Sequence, residues 1–282
     1  MNLAYEPLFT PFSIRNTRIK NRYFMAAMGT VTHNDEDGAY LPDAVDYFVR
    51  RAAGVGLIIT GANWVDNNIE VHSPGSFPCP TICPGKYIKA ARELTDRVHA
   101  FDTKIFVQLT AGLGRSAMPA MIHDRKFVAP STISNRWNPR IECRELTTEE
   151  VERLVEQFGV SAAIAKKCGY DGVEVHAVHE GYLLDCFAMS LFNKRTDKYG
   201  GDLNGRLRFA IEIVQKIKQY CGEDFPVILR FSLKSYIKDL RQGAVPGETF
   251  TELGRDTDEG LQAARILVDA GYDALDVDAG TY

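Results

Sequence analysis

YDGVEVHAVHEGY, residues 170–182, sets an apolar strand directly against a cluster of titratable side chains. Val173 and Val175 have the alternation and β-branching of a buried strand. His176, His179, Glu180 and Tyr182 follow at once. A strand that delivers polar groups at its C-terminal end belongs to parallel α/β architectures, where such ends converge on one site. The same pattern recurs along the chain. Strands are expected over NRYFMAAM (21–28), VGLIITG (55–61), KIFVQL (104–109), FPVILRFS (225–232) and YDALDVDAG (272–280).

Amphipathic stretches separate them. PDAVDYFVRRAAG (42–54) reads as a helix with Pro42 in its first turn and Gly54 at its end. KYIKAARELTDRVHAFD (86–102) has helical spacing, and Thr147 with Glu150 forms a capping box opening a helix to Lys167. Helices are also expected over 201–220, with Leu207, Ile211, Val214 and Ile217 on one face, and over 257–271. Near-continuous apolar strands alternating with helices imply a parallel sheet covered on both faces. A doubly wound sheet and a TIM (β/α)8 barrel both satisfy this pattern. No G-x-G-x-x-G follows the first strand, and Gln108, His176, Arg230 and Asp278 close separate strands. These features favour the barrel, as a single α/β domain over residues 1–282 truncated after the sixth strand. Two long segments, 62–85 and 110–146, carry few regular signals and read as lids or binding walls.

The bulk composition narrows the partners. The chain has 282 residues, 45% hydrophobic, and a formal charge of −4. No basic block supplies the field that nucleic acid or an anionic membrane would need. The apolar runs are strand-sized, and the N-terminus lacks a signal-peptide pattern, so a cytoplasmic protein is expected. Six cysteines are spread along the chain; Cys79 and Cys83 alone are close in sequence, which favours free thiols over a metal site.

Taken together, five segments resemble the old yellow enzyme family of FMN-dependent ene-reductases, in particular its NADH:flavin oxidoreductase / 2-enoate and 2,4-dienoyl-CoA reductase branch. They are LFTPFSIRNTRIKNRYFMAAMGT (8–30), QLTAGLGR (108–115), HAVHEGYLLDCF (176–187), NKRTDKYGGDLNGRLRF (193–209) and VILRFS (227–232). The resemblance implies that Ala27, Met28 and Gly29 lie along the flavin and that Gly61 lets backbone approach it. It implies that Gln108 bonds the pyrimidine edge and that Arg230 faces the region that becomes anionic on reduction. His176 and His179 would hold a substrate carbonyl, and Tyr182 would donate the proton. FMN is then the cofactor, NAD(P)H the reductant, and a small enone or enoate the substrate; a homo-oligomer is compatible with all of this.

Several positions depart from the family pattern: Ala27 where many members have Pro, an extra residue between Gln108 and Arg115, the added Glu180, and Gly205 in place of Asn. The family's seventh and eighth strands, which carry its FMN phosphate site, are expected to be missing. An iron–sulfur cluster and FAD belong to longer members. Other readings are a zinc site at His176, His179 and Glu180, a flavin-free barrel lyase, and a non-catalytic fragment or interaction module. The run RTDKYGGD (195–202) reads as a charge-pinned turn into a helix.

Overall fold

The computed structural model describes residues 3–30, 33–177, 182–245 and 247–278. His179 and Glu180 fall outside these. Six strands form one parallel sheet: β1 (Phe24–Met28), β2 (Leu57–Trp64), β3 (Lys104–Thr110), β4 (Gly172–Ala177), β5 (Val227–Ser232) and β6 (Ala274–Asp278). Each strand pairs with its predecessor in the chain, so the spatial order is 6-5-4-3-2-1. A doubly wound sheet would reverse direction at a switch point. This one does not; it curls as a barrel wall does.

The helices are α1 (Pro42–Val49), α2 (Pro84–His99), α3 (Thr148–Lys167), α4 (Leu183–Ala188), α5 (Leu203–Cys221) and α6 (Thr257–Ala270). Local chemistry sets their ends. In α3 the Thr147 hydroxyl accepts from the Glu150 N–H while the Glu150 carboxylate accepts from the Thr147 N–H. Asp202 and Asp256 cap α5 and α6 by accepting from the third helical N–H. The first helix is shorter than its periodicity suggests, ending at Val49, with residues 50–54 in turns.

The two sheet faces are buried in different ways. Ile58, Ile105, Val107, Val173, Val175 and Leu229 point outward into a core shared with Phe48, Leu94, Phe158, Leu207 and Ile213 of the helices. Leu57, Ile59, Phe106 and Ile228 point inward and meet Ile14 and Ile19. Those two belong to an antiparallel hairpin, Phe12–Ile14 with Thr17–Ile19, which floors the N-terminal end of the sheet. Burying two such side chains contributes about 1.5–3 kcal/mol each. Arg15 also pairs with Asp273, and the Thr17 hydroxyl donates to the Asp171 carbonyl. Gly172 is required here because a Cβ would sit 2.7 Å from the Phe106 ring that fills this layer.

The segment 110–146 is more ordered than its composition suggests. Val128–Ala129 and Ile133–Ser134 flank Glu142–Glu145 in a small three-stranded sheet. Asn135 ties the segment together, its side-chain amide donating to the Arg115 and Ala117 carbonyls. Arg115 is fully buried, donates to the Leu240 carbonyl and covers the Phe192 ring. The 195–202 turn is pinned as expected: Arg195 clasps Asp197, whose carboxyl this holds down at about 2. All six cysteines are free thiols. No helix among the described residues is long and apolar enough to cross a membrane.

Candidate active site

The inward-facing positions at the C-terminal ends of β2 to β5 are Gly61, Gln108, His176 and Arg230. Strand parity puts them on one face, and the curl of the sheet turns them toward a common cavity of about 350 Å³. That volume is within the range of small-molecule sites, roughly 300–1,000 Å³. Ala27, Met28 and Gly29 run along one side, and Tyr182 closes another. So every described residue expected at the site lines this one space.

The backbone is specialised at the rim. Both β1 and β2 shift register against their neighbours near Met28 and Thr60–Gly61. Such bulges re-aim chain ends beside active sites. A Cβ on Gly61 would lie 2.3 Å from the Gly29 Cα. Glycine at this position therefore has a reason inside the protein: it lets β1 and β2 close up where both border the cavity.

The polar groups form a connected layer. The Gln108 amide donates to Glu174 at 2.6 Å, and Arg230 donates through Nε to Asp278 at 3.1 Å. His176 is buried, and its ring meets Tyr182 edge to face with centroids 4.5 Å apart. Tyr182 holds that place because it precedes α4 in extended conformation, while the Leu183 N–H donates to the Gly112 carbonyl.

The upper walls come from the two long segments. Phe77 derives from 62–85; Leu113, Ser116, Met118, Met121 and Trp137 derive from 110–146. Trp137 is anchored by its indole N–H on the Ser116 carbonyl at 2.7 Å. These residues, like Glu174, are absent from the set expected from the sequence. A signal for the walls was the length of the segments; nothing in the sequence singled out individual side chains.

Glu70 was also missed, and it shapes the loop after β3. Its carboxyl accepts from the Leu113 N–H at 2.7 Å and the Gly114 N–H at 3.1 Å. Gly112, at φ +125°, makes room for it. Burial outweighs these two donors and pushes the carboxyl up to about 8. A carboxyl whose folded pKa lies above its unfolded value binds the extra proton in the folded state. Its stabilising contribution is complete below about pH 4.3 and is lost as pH rises toward 8. Glu70→Gln should therefore flatten the fall in unfolding free energy between about pH 5 and 8, by up to roughly 1.4 kcal/mol per pH unit. Urea titrations across that range check it; an unchanged slope would remove Glu70 as the source.

A cavity bordered by the backbone of Gly29 and Gly61, with an amide, a guanidinium and an imidazole in its lining and apolar side chains around them, suits a heteroaromatic ring with a polar edge. Groups of three or more metal-ligating side chains are lacking among the described residues.

Over 283 aligned residues the chain is 54% identical to cinnamate reductase of Clostridium sporogenes, covering all of this chain and 42% of that protein. It is 32% identical to an NADPH dehydrogenase of Bacillus subtilis over 274 residues, 97% of this chain and 73% of the relative. A solved 2-naphthoyl-CoA reductase bound to 2-naphthoyl-CoA superposes with a TM-score of 0.83 at 26% identity, over 99% of this chain and 41% of that one. The chain thus spans about two-fifths of the length of the first of these relatives. The family described as NADH:flavin oxidoreductase / NADH oxidase matches residues 7–278, the whole six-stranded sheet and every described cavity residue, and the chain belongs to it.

Proposed function

We propose that this chain is the FMN-binding barrel domain of a reductase that saturates the C=C bond of α,β-unsaturated carbonyl compounds, with NAD(P)H as reductant. The observation that carries the reading is the convergence of Gly61, Gln108, His176 and Arg230 on one cavity, with Tyr182 packed against His176. An aryl-substituted enoate is the favoured substrate. The identity to cinnamate reductase supports this, as do the Phe77, Met118, Met121 and Trp137 walls, which suit an aromatic ring.

FMN held in this cavity would supply the hydride that the activated alkene takes up at its β-carbon. Gln108 and Arg230 hold its polar edge, and Ala27 to Gly29 with Gly61 provide the surface it lies on. His176 donates a hydrogen bond to the substrate's carbonyl oxygen, where negative charge gathers as the bond saturates. His179, which lies outside the described residues, is the second donor that the resemblance implies. Tyr182 gives its phenolic proton to the α-carbon, whose basicity has risen by then. The apolar walls exclude water, which strengthens each of these contacts.

The test is spectroscopic. The chain purified without oxygen, or reconstituted with FMN, should show flavin absorbance that NADH or NADPH bleaches and cinnamate restores. A colourless protein that takes up no FMN overturns the proposal.

A further inference from the structure

Glu174 lies one layer beneath the cavity. It stands on β4 directly opposite Gln108 on β3, and Arg230 and Asp276 stand opposite each other on β5 and β6. Glu174 is completely buried. One of its oxygens accepts from the Gln108 amide at 2.6 Å. The other has no hydrogen-bond partner among the described residues. Burial first, then the charge of Asp276, pushes Glu174 up to about 8.

A side-chain amide has two ends of nearly equal size and opposite polarity. Which end faces a cavity is decided by what the other end meets. Here the Glu174 oxygen opposite Gln108 accepts from its amide at 2.6 Å. The Gln108 NH2 must turn to it, and the carbonyl oxygen is left for the cavity.

We propose that Glu174 is a positioning residue: it holds the Gln108 amide in one of its two orientations, presenting an acceptor to the bound ring. A ligand edge with an N–H donor at that point is bound; one with a lone pair there is repelled. The inference rests on the reading that the cavity takes FMN.

Dissociation constants for FMN, from quenching of flavin fluorescence, test it in the intact chain. Glu174→Gln keeps an acceptor for Gln108 and should bind within about threefold of the unaltered protein. Glu174→Leu should weaken binding about tenfold, the size of one buried hydrogen bond. In a Gln108→Ala background the same change should have no further effect. Equal losses in both backgrounds overturn the proposal, as does Glu174→Gln binding as weakly as Glu174→Leu.

A second readout needs no flavin. The Gln108 side-chain NH2, identified in nitrogen-edited NMR spectra by its disappearance in Gln108→Ala, should exchange slowly with solvent in the unaltered protein and in Glu174→Gln. Rapid exchange in both overturns the proposal even if Glu174→Leu fails to fold. A protected amide in a chain that never binds FMN would instead overturn the functional reading and leave the role of Glu174 standing.

Discussion

Tyr182→Phe is expected to lower turnover of an unsaturated substrate by about a hundred- to ten-thousand-fold, the range typical of a lost general acid. Reduction of bound flavin by the nicotinamide should be unchanged. The substitution removes one oxygen and leaves the ring, so the edge-to-face packing on His176, with centroids 4.5 Å apart, persists. The cavity therefore keeps its shape and loses only a proton. Rapid-mixing measurements of the two half-reactions separate these effects. If both slow equally, Tyr182 supports flavin binding and the proton comes from elsewhere.

Arg255→Met should cost about 3–5 kcal/mol of folding stability, the usual penalty for orphaning one member of a buried ion pair. The expected fall in Tm is roughly 5–15 °C. Arg255 and Asp185 are each about 1% exposed at the side chain, with 3.2 Å between their charged atoms. Arg255 also donates to the Ser232 carbonyl at the end of β5. The pair thus ties α4, the helix that begins just after Tyr182, to the strand that bears Arg230.

Even with Arg255 present, burial drives the Asp185 carboxyl up to about 6. Its folded pKa is above the unfolded value, so ionising it costs stability as pH climbs through 4 to 6. Without Arg255 that cost grows, and the deficit of the variant should be larger at pH 8 than at pH 4.5. Thermal scans at the two pH values read this directly. A deficit independent of pH would mean that lost packing on the Phe231 ring, which the guanidinium covers, dominates instead.

The central strands β2 to β5 were legible in the sequence because parallel strands buried on both faces write themselves as apolar runs. All six strands of the sheet appear within a few residues of their expected bounds. The helices were legible through caps: Thr147 with Glu150 fixed one start exactly where the chain makes it. The polar residues closing the strands were readable too, since a glutamine, histidine or arginine ending an apolar run stands out. What escaped notice needed three dimensions. Glu174 sits inside VEVH as one polar letter among apolar ones, and its meaning lies in Gln108, distant in sequence and opposite in register. Glu70 lies in a proline-rich segment, and its role depends on N–H groups of another loop. The six-residue α4 is too short to show a helical period. The hairpin at 12–19 has strands of three residues, below the length at which alternation can be recognised.

Strand order also bears on how a nascent chain gains its shape. Each strand's partner is its immediate predecessor, so a growing polypeptide can add one layer at a time to an edge that already exists. The hairpin before β1 reaches further along the chain. Its Ile14 and Ile19 share a cluster with Leu57, Ile59 and Phe106 but also with Ile228, and Arg15 reaches Asp273. Its full set of contacts is therefore complete only once β5 and the approach to β6 have been synthesised.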